Sequence, residues 1–371
     1  MKLYEPEMLT EILDSFNIEG NVKNICENHA GYVNKTFICE TDLDKKYILQ
    51  YVSNKAFPNL DILISNYEYI STYVNNTKND GIDINVPRMV CQKNGKCVKR
   101  TDNGFWRTLV YFDNVYSMDI PSSQRVYSLA GRYFGKYIKK LSFLDPNVLQ
   151  EVIPDFHNTY KRYSALEDMI KADPCGRVKN CEREIEIIRS KKDELSHIST
   201  LIQKGDLPTR ITHNDTNLNN ILFDNKTHMP VAIIDLDTTM PSCALYDYGD
   251  SLRVGSNTAK DDEKDLSKVK CNLNMYEAFT KGWLDGCGDI LCECELANLI
   301  YAPTTITMED GIRFLCDYIS GDTYYHTSYK EQNLDRLRTQ LALVDDMKQK
   351  ESEIKQITER VLKYLNLPNV L

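Results

Sequence analysis

No stretch of the 371 residues approaches the roughly 18 consecutive apolar side chains of a membrane-spanning helix. The opening residues Met1 to Glu7 likewise lack the apolar segment of an export signal. The expectation is a cytoplasmic protein with no membrane partner. Cations are not in excess either. The formal charge is -9, whereas binding along a nucleic-acid backbone is driven by Lys and Arg displacing counterions, so nucleic acid is excluded as the expected partner. The 12 cysteines include no Cys-x-x-Cys pair. Even the closest group, Cys287, Cys292 and Cys294, lacks the usual zinc-ligand spacing, and reduced thiols are expected. Internal repeats, Gly/Ser linkers and low-complexity tracts are absent, as is the Gly-x-Gly-x-x-Gly signature of a phosphate-cradling loop.

What the chain does have is concentrated between Arg210 and Asp250. The run Thr212-His213-Asn214-Asp215-Thr216-Asn217-Leu218-Asn219-Asn220-Ile221-Leu222 sets one acid, Asp215, five residues before Asn220. A short apolar strand pattern, Val231-Ala232-Ile233-Ile234, then delivers Asp235 and Asp237. Phosphoryl transfer needs little covalent help and depends on positioning and charge neutralisation. Asp215 is placed to accept a proton from an attacking hydroxyl. Asn220 and Asp235 suit Mg2+, a hard cation that takes oxygen ligands and keeps several waters, and Asp237 is a candidate for a second metal contact. The spacing His-x-Asp-x-x-x-x-Asn followed by a strand-borne Asp is that of kinase catalytic loops.

Asp235 is followed by Leu236-Asp237 and not by Phe-Gly, so the chain resembles the aminoglycoside phosphotransferase and choline kinase-like family of small-molecule kinases. Within it, Thr212 to Thr216, Leu218 to Leu222, Ile233 to Thr238 with Met240-Pro241, and Tyr246 to Ser251 are similar to the N-acetylhexosamine 1-kinases. The resemblance implies a two-lobed α+β, protein-kinase-like fold, with a strand-rich nucleotide-binding lobe over residues 1–112 and a mainly helical catalytic and substrate-binding lobe over 113–371. It implies ATP and Mg2+ as cofactors, a sugar as acceptor, and Arg313 and Tyr324 as residues lining the sugar pocket beside Asp215. A monomer is expected.

Several positions carry further expectations under that resemblance. The turn around Gly31, with Asn34, Lys35 and Thr36, would lie over the nucleotide phosphates. Val110 to Asp113 would be the hinge, its backbone N–H and C=O groups reading the adenine edge, with Val110 and Phe112 among the nucleotide-binding residues. Asp247 would brace the catalytic loop, and His157 is expected as a capping or core histidine. The strand Lys46 to Val52 is where kinases carry a phosphate-pairing lysine, and alignment puts Gln50 there. A neutral amide donates to phosphate but brings no charge. Glu68, on the predicted helix Leu60 to Val74, would then hydrogen-bond Gln50 instead of forming an ion pair. Two other readings accompany this one: a kinase of an amino alcohol or aminoglycoside, and a catalytically silent kinase-like binder. Val86 to Asp113 is expected to form an antiparallel meander closed by two Gly turns. One amphipathic helix is expected over residues 175–203 and a single long one from Asn333 to Leu365.

Overall fold

Glycine and asparagine punctuate the first third of the chain, and the alternating runs between them fold as strands. The computed structural model describes residues 5–28, 33–77 and 81–371, which gather into two compact units. The first comprises Met1–Tyr116, Asn147–Pro154 and Leu222–Met240, and the second Ser117–Pro146, Asp155–Ile221 and Pro241–Leu371. Gly31 lies outside the described residues.

Helix α1 (Pro6–Leu13) starts on a proline, whose missing N–H costs nothing at that position. It buries Leu9, Ile12 and Leu13, with Phe16, against Phe37, Cys39, Leu49 and Trp106 on one face of a sheet. That sheet contains β1 (Val22–Asn28), β2 (Lys35–Thr41) and β3 (Lys46–Ser53). After α2 (Leu60–Asn76), whose Asn59 side chain accepts the N–H groups of Asp61 and Ile62, come β4 (Met89–Val90), β5 (Val98–Thr101) and β6 (Gly104–Val110). The strand order is β1-β2-β3-β6-β4, with β5 also on β6.

The expected meander is therefore only half present. β5 and β6 form the hairpin, but β4 pairs with Thr108 and Leu109 of β6 while β5 pairs with Gly104 to Arg107. Both lie end to end along one edge of β6, because β4 is only two residues long and leaves the rest of that edge to be satisfied. The short strand β7 (Val115–Tyr116) pairs in a separate three-stranded sheet described below.

In the second unit, Ser123 caps α3 (Gln124–Leu141) by accepting the N–H of Val126. The helices α4 (Thr159–Ala172), α5 (Glu182–Ser190) and α6 (Lys192–Lys204) follow. The single helix expected over 175–203 is thus two, interrupted at Lys191, where φ is -104° and ψ 12°. Strand β8 (Arg210–Thr212) leads into the motif-bearing loop. Next come β9 (Ile221–Asp224) and β10 (Pro230–Ile233), which from Leu222 onward belong to the first unit and join β7 in the three-stranded sheet, and then β11 (Met240–Ser242) and α7 (Ala244–Gly255).

The chain ends in helices α8 (Leu273–Cys287), α9 (Glu293–Ala297), α10 (Ala302–Ser320), α11 (Gln332–Gln349) and α12 (Glu351–Tyr364). The long terminal helix breaks at Lys350, whose Nζ donates to the carbonyl of Cys271 at 2.9 Å and to Asp346 at 2.6 Å. α10 is the centre of this unit's core, burying Met308, Ile312, Leu315 and Tyr318 with Leu334, Leu337 and Val344 of α11. The cysteines are free thiols, and among the described residues no helix is long and apolar enough to cross a membrane.

α3 and α8 cross almost backbone to backbone. Gly131 and Gly135 on one helix face Gly282 and Gly286 on the other, and a Cβ on Gly282 would stand 1.9 Å from the carbonyl oxygen of Ser128. Gly282→Ala gains helix propensity of about 1 kcal/mol but forces the helices apart, at a cost of about 1–3 kcal/mol for overpacking. The expected outcome is a lower urea midpoint at unchanged slope; an equal or higher midpoint would show that the seam is slack.

Candidate active site

The loop that follows β8 is fixed before it reaches its acid. Arg210 makes two hydrogen bonds to Glu295, at 2.6 and 2.7 Å, anchoring the strand's start. His213 is fully buried, with Phe134 and Tyr137 of α3 edge-on at 5.9 Å each. Asn214 adopts φ 63°, a left-handed conformation that Asn tolerates better than most residues. Its side chain bonds back to Thr212 in both directions, at 3.0 and 3.1 Å.

Three residues on one face of α7 hold the loop. The two oxygens of Asp247 accept the N–H groups of His213 at 2.9 Å and Asn214 at 2.7 Å, the bracing expected of it. Asp250 accepts the N–H of Thr216 at 3.0 Å, and Ser251 donates to the Thr216 carbonyl at 2.8 Å. Burial pushes the Asp247 carboxyl up to about 6, and its place in the first turn of α7 sets it near the positive end of the helix.

His157 neither caps a helix nor merely fills the core. Its Nδ1 lies 3.0 Å from Glu309 of α10 and its Nε2 3.2 Å from the Asn214 carbonyl, tying the loop from the other side. Burial alone would lower this imidazole's pKa, but the Glu309 carboxylate, together with Asp250 and the Asn214 carbonyl, outweighs it and the net shift is upward.

Asp215 and Asn220 come together in the second unit. The Asn220 amide nitrogen donates to the Asp215 side chain at 3.1 Å and to its carbonyl at 2.9 Å, while Asn217 donates to the other carboxylate oxygen. With its nitrogen turned to Asp215, Asn220 keeps Oδ1 as the atom a cation would use. Burial pushes the Asp215 carboxyl above the ordinary range and the charge of Asp250 adds to the rise.

From Asp250 a line of alternating charge runs on. Arg253 lies 3.0 Å from Asp250 and 3.2 Å from Asp310, and Arg313 lies 3.7 Å from Asp310. The guanidinium of Arg313 stands 5.3 Å from the ring of Phe156 and 5.9 Å from that of Tyr325. Arg313 thus pairs with Asp310. Tyr324, expected to line the sugar pocket, is 67% exposed with its ring against Tyr325 at 4.9 Å. Neither Phe156 nor Tyr325 had a sequence signal beyond its place beside His157 or Tyr324.

The remaining candidates belong to the first unit. Asp235 ends the strand pattern in a left-handed conformation, φ 60° and ψ 56°, a sparsely populated region that often marks a functional position. Asp237 is 2% exposed and held by Arg107, at 2.5 and 2.9 Å, and by the Asn34 amide at 2.7 Å. Gln50 donates to the Thr36 hydroxyl at 3.1 Å and accepts twice from Arg107. It does not bond Glu68, which accepts from the Cys97 thiol at 3.2 Å. The N–H of Val110 is taken by the Arg88 carbonyl at 2.9 Å, and Phe112 sits outside regular structure between β6 and β7. Arg107 went unnoticed in the sequence. Its one signal is a cation in the middle of an apolar strand, between Trp106 and Thr108.

Among the described residues no cluster of three or more His, Cys, Asp and Glu side chains could hold a metal. The Asn220 amide oxygen and the Asp235 carboxylate are hard oxygen donors of the kind Mg2+ takes, and Mg2+ is commonly held by one or two carboxylates together with substrate phosphates.

Comparison with known proteins adds the following. The model of the APH family, described as a phosphotransferase enzyme family, matches residues 84–267. Among solved structures, a microcompartment-associated aminopropanol kinase is similar at 15% identity and TM-score 0.65, over 94% of this chain and 98% of that one. An amicoumacin kinase, hAmiN, in complex with AMP-PNP, Ca2+ and Ami matches at 15% identity and TM-score 0.61, over 91% and 93%. Choline kinase from Cryptosporidium parvum Iowa II matches at 12% identity and TM-score 0.58, over 98% and 99%. At these identities the likeness is one of fold: an APH kinase-like fold with an antiparallel sheet and a mostly helical C-terminal region.

The acid limb of an activity profile reports the essential base of the free enzyme. A base whose pKa is raised is lost as pH falls through that raised value, so the limb for kcat/KM should lie above about 3.9, the ordinary aspartate value. Asp250→Asn removes the charge that adds to the rise at Asp215 and should move the limb to lower pH. A limb at the ordinary value, unmoved by that substitution, would remove Asp215 as the group that titrates.

Proposed function

We propose, from the match of the APH phosphotransferase enzyme family model to residues 84–267, that this chain phosphorylates the anomeric 1-hydroxyl of an N-acetylhexosamine such as GlcNAc or GalNAc, using ATP and Mg2+. Asp215 is the general base. Its carboxylate, fixed by Asn217 and Asn220, orients the acceptor hydroxyl and takes its proton. The sugar oxygen bonds to the γ-phosphorus, the bond to the β–γ bridging oxygen breaks, and ADP and the sugar 1-phosphate leave. Asn220 and Asp235 are the residues that would hold the metal, which when bound neutralises phosphate charge. A raised pKa makes Asp215 a stronger proton acceptor than an exposed aspartate, and its fixed rotamer removes the cost of finding the reactive geometry.

The observation that supports a neutral acceptor is the pairing of acids along α7 and α10. Asp250 and Asp310 already carry Arg253 and Arg313. An amine such as choline or an aminoglycoside would meet two guanidinium groups there, whereas sugar hydroxyls and an acetamide carbonyl accept hydrogen bonds from them. The rings of Phe156 and Tyr325 offer apolar faces to a pyranose.

The test is ATP consumption with GlcNAc, GalNAc, galactose, choline and an aminoglycoside, with the phosphorylated position identified by NMR. The expected products are N-acetylhexosamine 1-phosphates; turnover confined to the amines, or phosphate at another hydroxyl, overturns the sugar assignment. Asp215→Asn should keep the fold and lower kcat about 10^2 to 10^4-fold, the range for loss of a general base. Near-normal turnover would exclude Asp215 from the chemistry.

A further inference from the structure

The sheet of the first unit carries a polar row that the usual kinase pattern does not explain. Thr36 on β2 pairs in register with Gln50 on β3, and Gln50 with Arg107 on β6. Residues directly opposite on neighbouring strands point to the same face, so the three side chains stand side by side across the sheet. Their hydrogen bonds run in one direction. Arg107 donates to the Gln50 carbonyl oxygen from Nε at 2.9 Å and from Nη2 at 2.8 Å, and the Gln50 amide nitrogen donates to the Thr36 hydroxyl at 3.1 Å.

Arg107 is 1% exposed, and a buried guanidinium must be paired to be tolerated. Its counterion is Asp237, in a two-pronged contact at 2.5 and 2.9 Å. Its flat face lies 4.4 Å from the ring of Tyr67 on α2. Burial alone would lower the pKa of Arg107, but Asp237, with Tyr67 and Asp235, more than compensates and raises it. The usual arrangement, a lysine on β3 paired with a glutamate on the following helix, is thus replaced feature by feature. The cation sits one strand away, about 4.8 Å across the sheet. The partner acid comes from the stretch after β10, and α2 contributes an aromatic face while its Glu68 serves the Cys97 thiol.

We propose that Arg107 is a positioning residue that stands in for the missing strand lysine: it locks the Gln50 amide with its N–H groups turned toward Thr36 and the nucleotide phosphates, and commits Asp237 to the sheet instead of to the metal. The phosphate half of this inference rests on the kinase reading; the Arg107–Gln50–Asp237 network stands on the contacts alone. A side-chain amide offers donors or an acceptor to the phosphates depending on which way it faces. Arg107, a donor only, forces the acceptor inward. Asp237 spends both oxygens on Arg107, and one of them also on Asn34, which leaves Asp235 as the metal carboxylate.

The consequence runs against simple homology: restoring lysine at Gln50 in the intact protein should harm it, because two cations would share one carboxylate. A double-substitution cycle tests this in the full-length chain, using Gln50→Lys, Arg107→Gln and the two combined. ADP affinity by calorimetry, the urea midpoint, kcat and the KM for ATP are the readouts. Each single substitution should weaken ADP binding about tenfold or more, the range for a lost hydrogen bond to a charged group, and the pair together should recover to within about threefold of the wild type.

Arg107→Lys keeps the charge and loses the two-pronged fork, so it should fall between the wild type and Arg107→Gln. Should Arg107→Gln fail to fold, Gln50→Lys alone still decides: tighter ADP binding than the wild type overturns the proposal, and weaker binding supports it. Multiplicative losses in the double variant also overturn it. If the wild type binds ADP and the cycle is multiplicative, only this inference falls. If the wild type binds no ADP, the kinase reading falls and takes the phosphate role of Gln50 with it.

Discussion

Two successive backbone N–H groups, those of His213 and Asn214, end on the two oxygens of one buried carboxylate, Asp247. Such a contact is demanding. Taking a carboxylate out of water is costly unless its oxygens are satisfied, and here they are satisfied by the backbone just ahead of Asp215. The left-handed turn at Asn214 depends on it, because a strained residue persists only where its surroundings over-determine it. The loop therefore arrives at Asp215 with little freedom left. Asp250 and Ser251, on the same face of α7, fix Thr216 on the far side.

The same logic of buried charge answered by a specific partner recurs outward from that loop. His157 links the Asn214 carbonyl to Glu309, and Asp250, Arg253, Asp310 and Arg313 alternate in sign along α7 and α10. None of these groups can be changed alone without leaving a neighbour uncompensated, and removal of one partner of a buried pair is typically costlier than never having had the pair. In the first unit, Arg107 and Asp237 follow the same rule.

What could be read from the chain and what could not divides along physical lines. The association of Asp215 with Asn220 was legible because it is made within one short loop, where spacing fixes geometry, whereas the bracing by Asp247, 33 and 34 positions from its partners, was legible only through the family resemblance. The β5–β6 hairpin was legible for a similar reason: local alternation closed by a glycine turn. Arg107 was not, because its significance comes from Gln50 and Asp237, which lie 57 and 130 positions away. A lone arginine in an apolar strand says nothing of its partners. The breaks at Lys191 and Lys350 were missed because the apolar stripes continue across them. Tyr324 and Tyr325 are neighbours in sequence, and it is tertiary contacts, the Phe314 ring at 4.8 Å and the Asp317 carboxylate on its N–H, that set the second of them inward.

The end-to-end seating of β4 and β5 along one edge of β6 has a consequence for how this protein tolerates change. β6 is hemmed on both edges, and along it Trp106 enters the apolar face shared with α1 while Arg107 enters the opposite, polar one. Shifting such a strand by a single residue exchanges its two faces. Loss or gain of one residue between Gly104 and Val110 would drive a guanidinium into the hydrocarbon under α1 and lift an indole into the ionic row, two errors from one event. The alignment of this sheet is thus policed by electrostatics as well as by oiliness.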